Sequence, residues 1–86
     1  MREALASYAH QAWSGWMRYM FGRSQRRPDG SLIVSPDLAA RWERQSNTTY
    51  ADLSEVEKAS DREEADRILR IIAEENGKMD REGLTR

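Results

Sequence analysis

The residues able to do chemistry in this chain are few. Its 86 positions hold one histidine, His10, and no cysteine, so any site needing two imidazoles or a thiolate, and any disulfide, is ruled out. His10 beside a carboxylate can serve as a general base, but it sits next to the apolar stripe of a helical pattern and reads as a core-edge histidine held by hydrogen bonds. The serines fall at loop and cap positions, so no Ser–His–acid set assembles. Gly22 and Gly30 lie near basic residues without the spacing of a phosphate-binding loop. Asp61, Glu64 and Asp66 can in principle hold a hard cation, yet Arg62, Arg67 and Arg70 are interleaved with them and favour ion pairs. The expectation is no enzyme, no catalytic residue, no metal and no cofactor.

The aromatic and basic residues point to binding instead. Trp13, Trp16, Tyr19 and Phe21 run into Arg23, Arg26 and Arg27, and Trp42 sits between Arg41 and Arg44. Aromatic faces stack on bases, and a guanidinium grips phosphate or stacks as well. The same tryptophans also suit the core of a small domain that has a single phenylalanine. Charge is divided along the chain: residues 1–45 carry seven Arg against four acids, and residues 46–86 carry seven basic residues against eleven acids. The acidic half opposes direct nucleic-acid binding, which is not expected.

Three helices must position these groups. Leu5, Tyr8, Ala9, Ala12, Trp13, Trp16, Met17, Met20 and Phe21 recur at steps of three and four, the period of one helix face. Gly15 interrupts that helix, a cost that close approach of another backbone or a ligand would compensate, and Gly22 is placed to end it. Pro28-Asp29-Gly30 is turn chemistry, and Leu32-Ile33-Val34 is a β-favouring run too brief to form a sheet by itself. Ser35-Pro36 opens a short second helix with Leu38, Ala39 and Trp42 on one face. Ser54-Glu55-Val56-Glu57 is a capping box opening the third, with Val56, Ala59, Ala65, Ile68, Leu69 and Ile72 as its expected buried stripe. Asp61 is the expected tie to the first helix, Glu64 a solvent-facing residue, and Gly77 the terminator. Together these read as an all-α domain, a compact three-helix unit over residues 1–77 with a short extended segment between helices 1 and 2 and a flexible tail over 78–86.

Two stretches, "AHQAWSGWMRY" and "TYADLSEVEKASDREEADRIL", together resemble the RyR domain, the module repeated in ryanodine receptors and also found in small bacterial and phage proteins. His10 and Trp13 match its first motif. Tyr50, Leu53, Glu57, Lys58, Asp61 and Arg62 match its second. The His-Pro pair that receptor repeats place between the motifs is absent. The resemblance, strongest to short phage and prophage proteins, implies a mainly helical unit that binds a ligand or a protein without catalysis, and His10, Trp13, Tyr50, Glu57 and Asp61 as motif residues that hold the fold. It extends to the sensing or sequestering of a nucleotide-derived signal of host defence.

Two functions follow as expectations. One is a module binding a nucleotide or another phosphorylated ligand through Trp16, Trp42, Arg41, Lys58 and Arg62, with Lys58 and Arg62 facing a shared anion. The other is a protein-binding or self-associating module, because the first helix is more apolar than so small a domain can cover. A chain of this size gains stability from assembly, so a homo-oligomer is expected. No apolar run reaches the length of a membrane span, and the N-terminal residues carry no apolar signal-peptide region. A cytoplasmic protein is expected, in the host cytoplasm if phage-encoded.

Overall fold

The structure, a computed structural model, describes the backbone of residues 1–84 and the side chains of residues 1–78. Its elements are α1 (Arg2–Arg23), β1 (Gln25–Arg26), β2 (Leu32–Ile33), α2 (Pro36–Ser46), a single 3₁₀ turn over Tyr50–Asp52, and α3 (Glu55–Leu84). The chain is all-α, with the short extended segment lying between helices 1 and 2. It divides into two units, one formed by Met1–Gln11 with Glu55–Arg86 and the other by Ala12–Ser54. None of the described residues is fully buried.

In the first unit, the opening turns of α1 turn Ala4, Leu5 and Tyr8 inward to half-burial. The Tyr8 hydroxyl donates to the Glu64 carboxylate, and the Met1 ammonium meets Glu75 Oε2 at 3.4 Å. α3 starts at Glu55, the residue after Ser54, which is the boundary that the capping-box sequence predicts. The face it covers differs from the expected stripe. Val56 is 81% exposed and Leu69 62%; Ala59, Ala65 and Ile68 are exposed too, and of the expected set Ile72 alone is half-buried. Among the described residues the covered positions are Glu57, Lys58, Glu64, Ile71, Ile72, Glu75 and Gly77. Glu57, Glu64 and Ile71 follow at seven-residue steps, which keep one seam of a helix facing a neighbour. Polar contacts accompany this rotation: the Tyr8 phenol on α1 and the Met1 ammonium just before it both meet carboxylates on this face of α3. Asp61, the expected tie to α1, is exposed.

The second unit carries the extended segment. β1 and β2 pair antiparallel, Gln25 with Ile33 and Arg26 with Leu32, so the Leu32-Ile33 run finds its partner in the residues just after α1. The turn between them is closed by Gly30 N–H to Arg27 C=O at 3.0 Å and Arg27 N–H to Ser31 C=O at 2.8 Å. Asp29 Oδ1 accepts from the Ser31 amide at 2.9 Å and from its hydroxyl at 2.6 Å. Gly30 has φ 90°, the left-handed residue that follows a type I turn in a three-residue hairpin loop. Gly30→Ala forces an L side chain into that region, at a cost of about 1–2 kcal/mol. Exchange of the Arg27 amide is then expected to quicken roughly five- to thirty-fold, read by hydrogen exchange.

The other glycines behave differently from the sequence expectation. α1 continues through Gly22 to Arg23, and α3 continues through Gly77 as far as Leu84. Neither glycine has positive φ. A mid-helix glycine costs only about 1 kcal/mol, and good helix formers such as Ala73, Glu74, Glu75 and Lys78 surround Gly77. Of the tail expected over 78–86, residues through Leu84 belong to α3, and residues 85–86 lie outside the described residues. At Gly15 a Cβ would meet nothing within 4 Å, so no close approach of another backbone compensates for the glycine there.

Candidate functional site

The site is built from the second half of α1 and from α2. α2 is fixed at its start by Ser35, whose Oγ accepts from the Leu38 amide at 3.3 Å, with Pro36 in the first turn. At its end the Asn47 side-chain amide and the Thr48 hydroxyl donate to the carbonyls of Glu43 and Arg44, at 2.9 and 2.5 Å. Both ends are thus capped, and the half-buried residues Leu38, Ala39, Trp42 and Gln45 line one face at helical spacing. On α1 the half-buried positions of this unit are Ala12, Ser14, Met17, Tyr19 and Met20.

Trp16, Met17, Tyr19, Met20 and Trp42 enclose an open cleft of about 170 Å³ whose surface is wholly apolar. Its rings form a chain. Trp16 and Tyr19 meet edge to face, with centroids 6.3 Å apart and planes at 85°. Tyr19 and Trp42 are also 6.3 Å apart, tilted by 59°. The Arg23 guanidinium stands 5.2 Å from the Tyr19 ring centroid, within cation–π range. Trp16 keeps 55% of its surface exposed, and Trp13 and Phe21, further along α1, keep 58% and 48%. The arrangement offers a shallow socket with an aromatic floor, a cation at one side, and no polar atom facing the occupant.

Of the residues expected to bind a ligand, Trp16 and Trp42 stand in this cleft. Arg41 is exposed beside Trp42 and does not line it. Lys58 and Arg62 belong to the other unit, on the first two turns of α3. There they share an anion from their own helix: Glu55 lies 3.8 Å from Lys58 Nζ and 3.3 Å from Arg62 Nη1. Glu55 is 77% exposed, so these are surface pairs worth at most about 1 kcal/mol. Among the motif residues, Glu57 is half-buried, His10, Trp13 and Asp61 are exposed, and Tyr50 begins the 3₁₀ turn with 48% of its surface open.

Tyr19, the middle ring of the aromatic chain, was not among the expected ligand contacts, nor were Met17, Met20 and Arg23. A signal for them exists in the sequence: Trp16, Tyr19 and Arg23 fall at i, i+3 and i+7 on one helix face. Among the described residues no group of three or more His, Asp or Glu side chains is placed to hold a metal ion, and no helix is long and apolar enough to cross a membrane. Comparison with protein-family models, curated proteins and solved structures finds no match for the chain.

Proposed function

We propose that this protein is a non-enzymatic binding module whose aromatic cleft receives an apolar side chain of a protein partner. The observation that carries the reading is the cleft itself, about 170 Å³ and lined by three aromatic and two methionine side chains. Drug-sized ligands occupy pockets of roughly 300–1,000 Å³ that also present a few placed polar groups. This cleft is smaller and lacks those groups. Methionine and aromatic linings suit adaptable recognition of protein side chains.

A second reading is a nucleotide or other phosphorylated ligand, and one observation favours it. Arg23 packs over Tyr19, so a flat base entering beside Trp16 and Trp42 would find a cation within reach for its phosphate, with Arg41 a second one nearby. The resemblance to RyR-type phage proteins supports this reading, with sequestration of a host defence signal as its biological form.

Titration of the full chain with toluene and, separately, with adenosine monophosphate, followed by two-dimensional NMR, separates the two. The apolar reading expects toluene to shift the indole N–H signals of Trp16 and Trp42, and the Trp42→Ala variant to lose the response. Salt-sensitive shifts with the nucleotide, weakened by Arg23→Ala, would favour the second reading. Indole signals unmoved by either probe at millimolar concentration would sink both.

A further inference from the structure

We propose that the natural occupant of the cleft is Trp13 of a second copy of this chain, delivered by antiparallel pairing of two α1 helices about Met17. The inference rests on reading the cleft as a receptor for an apolar side chain, and it names the partner. Trp13, Met17 and Phe21 follow one another at i, i+4 and i+8, so they share a face of α1. Trp13 is 58% exposed and Phe21 48%.

The spacing is symmetric about Met17. When two such helices run antiparallel with Met17 against Met17, Trp13 of each stands opposite Phe21 of the other. One patch therefore serves both copies, as a closed two-fold contact requires. In knob-into-hole packing, a side chain from position 13 enters the hole bounded by Met17, Met20, Phe21 and Ser24 on the facing helix. Two of those four, Met17 and Met20, are walls of the cleft. The size agrees as well. An apolar cavity of about 150 Å³ accepts one benzene, and the cleft measures about 170 Å³, room for one aromatic ring system.

The area sets the strength of the pairing. Aromatic side chains offer up to about 150–250 Å² each, so the exposed fractions of Trp13, Trp16 and Phe21 leave about 350 Å² per copy. With the methionines between them, complete coverage in two copies buries at most about 1,000 Å², below the roughly 1,200–2,000 Å² of stable specific interfaces and within the weak class. The dimer is accordingly weak and concentration-dependent.

The test uses the full chain. Sedimentation equilibrium is expected to show a reversible monomer–dimer equilibrium, and Trp13→Ser to weaken it roughly tenfold or more, as loss of a central aromatic anchor does. Circular dichroism confirms that the variant keeps its helices. Because the chain has no cysteine, single-cysteine variants report the register directly. Met17→Cys should oxidise to a covalent dimer, and Trp13→Cys should cross-link to Phe21→Cys in a mixture. Gln11→Cys, exposed on another side of α1, should remain monomeric. A chain that stays monomeric up to about 1 mM, far above the range such an interface needs, overturns the proposal. So does cross-linking of Gln11→Cys as fast as Met17→Cys, or a dimer that Trp13→Ser leaves intact. If the chain is monomeric and toluene still shifts the Trp16 and Trp42 signals, the receptor reading of the cleft stands and only the second copy is removed.

Discussion

Trp42→Ala is expected to lower the melting temperature by about 10 °C. Trp42 is the large side chain that α2 sets against α1, half-buried and 6.3 Å from the Tyr19 ring. Removing a fully buried tryptophan costs about 3–5 kcal/mol, and partial exposure brings that to about 2 kcal/mol here. A domain of this size loses roughly 4–8 °C per kcal/mol. The capped ends of α2 hold its backbone in either case, so the loss belongs to packing and not to the helix. Trp42→Phe should recover most of the difference by keeping an aromatic face toward Tyr19. The effect is read by thermal unfolding at a fixed, low protein concentration, so that association does not contribute. Coincident melting of Trp42→Ala and the unchanged chain would mean that α2 is held by its flanking turns.

The second large effect belongs to Glu64. Its carboxylate accepts from the Tyr8 hydroxyl and pairs with Arg67 at 2.6 Å, joining α1 to α3 within one unit. A hydrogen bond to a charged group contributes about 1.5–3 kcal/mol. The carboxylate keeps 33% of its side-chain surface exposed, which places the loss near the lower end, about 1–2 kcal/mol. Glu64→Ala should therefore melt several degrees lower, while Asp61→Ala, at an exposed position, should stay within about 0.5 kcal/mol of the unchanged chain. Tyr8→Phe supplies the cross-check, since it removes the same hydrogen bond from the other side. If Asp61→Ala falls and Glu64→Ala does not, the pairing of these helices is wrong.

The contrast between these two carboxylates shows where the sequence is informative. Local signals were legible: Ser35 and Ser54 stand immediately before α2 and α3, Pro36 opens α2, and Pro28-Asp29-Gly30 forms the hairpin turn. Each depends on hydrogen bonds within four residues, which local residue types determine. The rotation of α3 was not legible. Val56 and Leu69 belong to the more apolar stripe and stay exposed, while the face that α3 covers meets Tyr8 and the amino group of Met1, more than fifty residues away in the chain. The same holds at the candidate site. Trp16 and Trp42 were singled out by their aromatic and basic surroundings, and both line the cleft. Their separation from Lys58 and Arg62 into another unit was not, because motif spacing carries no information about which tertiary unit a helix joins. Gly22 and Gly77 failed as stop signals for a related reason: a glycine permits a left-handed end but does not compel one.

The hairpin between α1 and α2 also holds a proton-linked contact. The Ser31 hydroxyl, followed by the Ser31 amide, holds the Asp29 carboxyl below its ordinary value. A group whose acidity is strengthened in the folded state stabilises that state fully above the ordinary carboxylate range and progressively less as the pH falls through its lowered value. Protonation would cancel the charge that both Ser31 donors face and weaken those two bonds, while the backbone bonds that close the turn remain. In acid the ribbon that leads the chain from one side of the cleft to the other thus keeps its pairing and loses a side-chain brace.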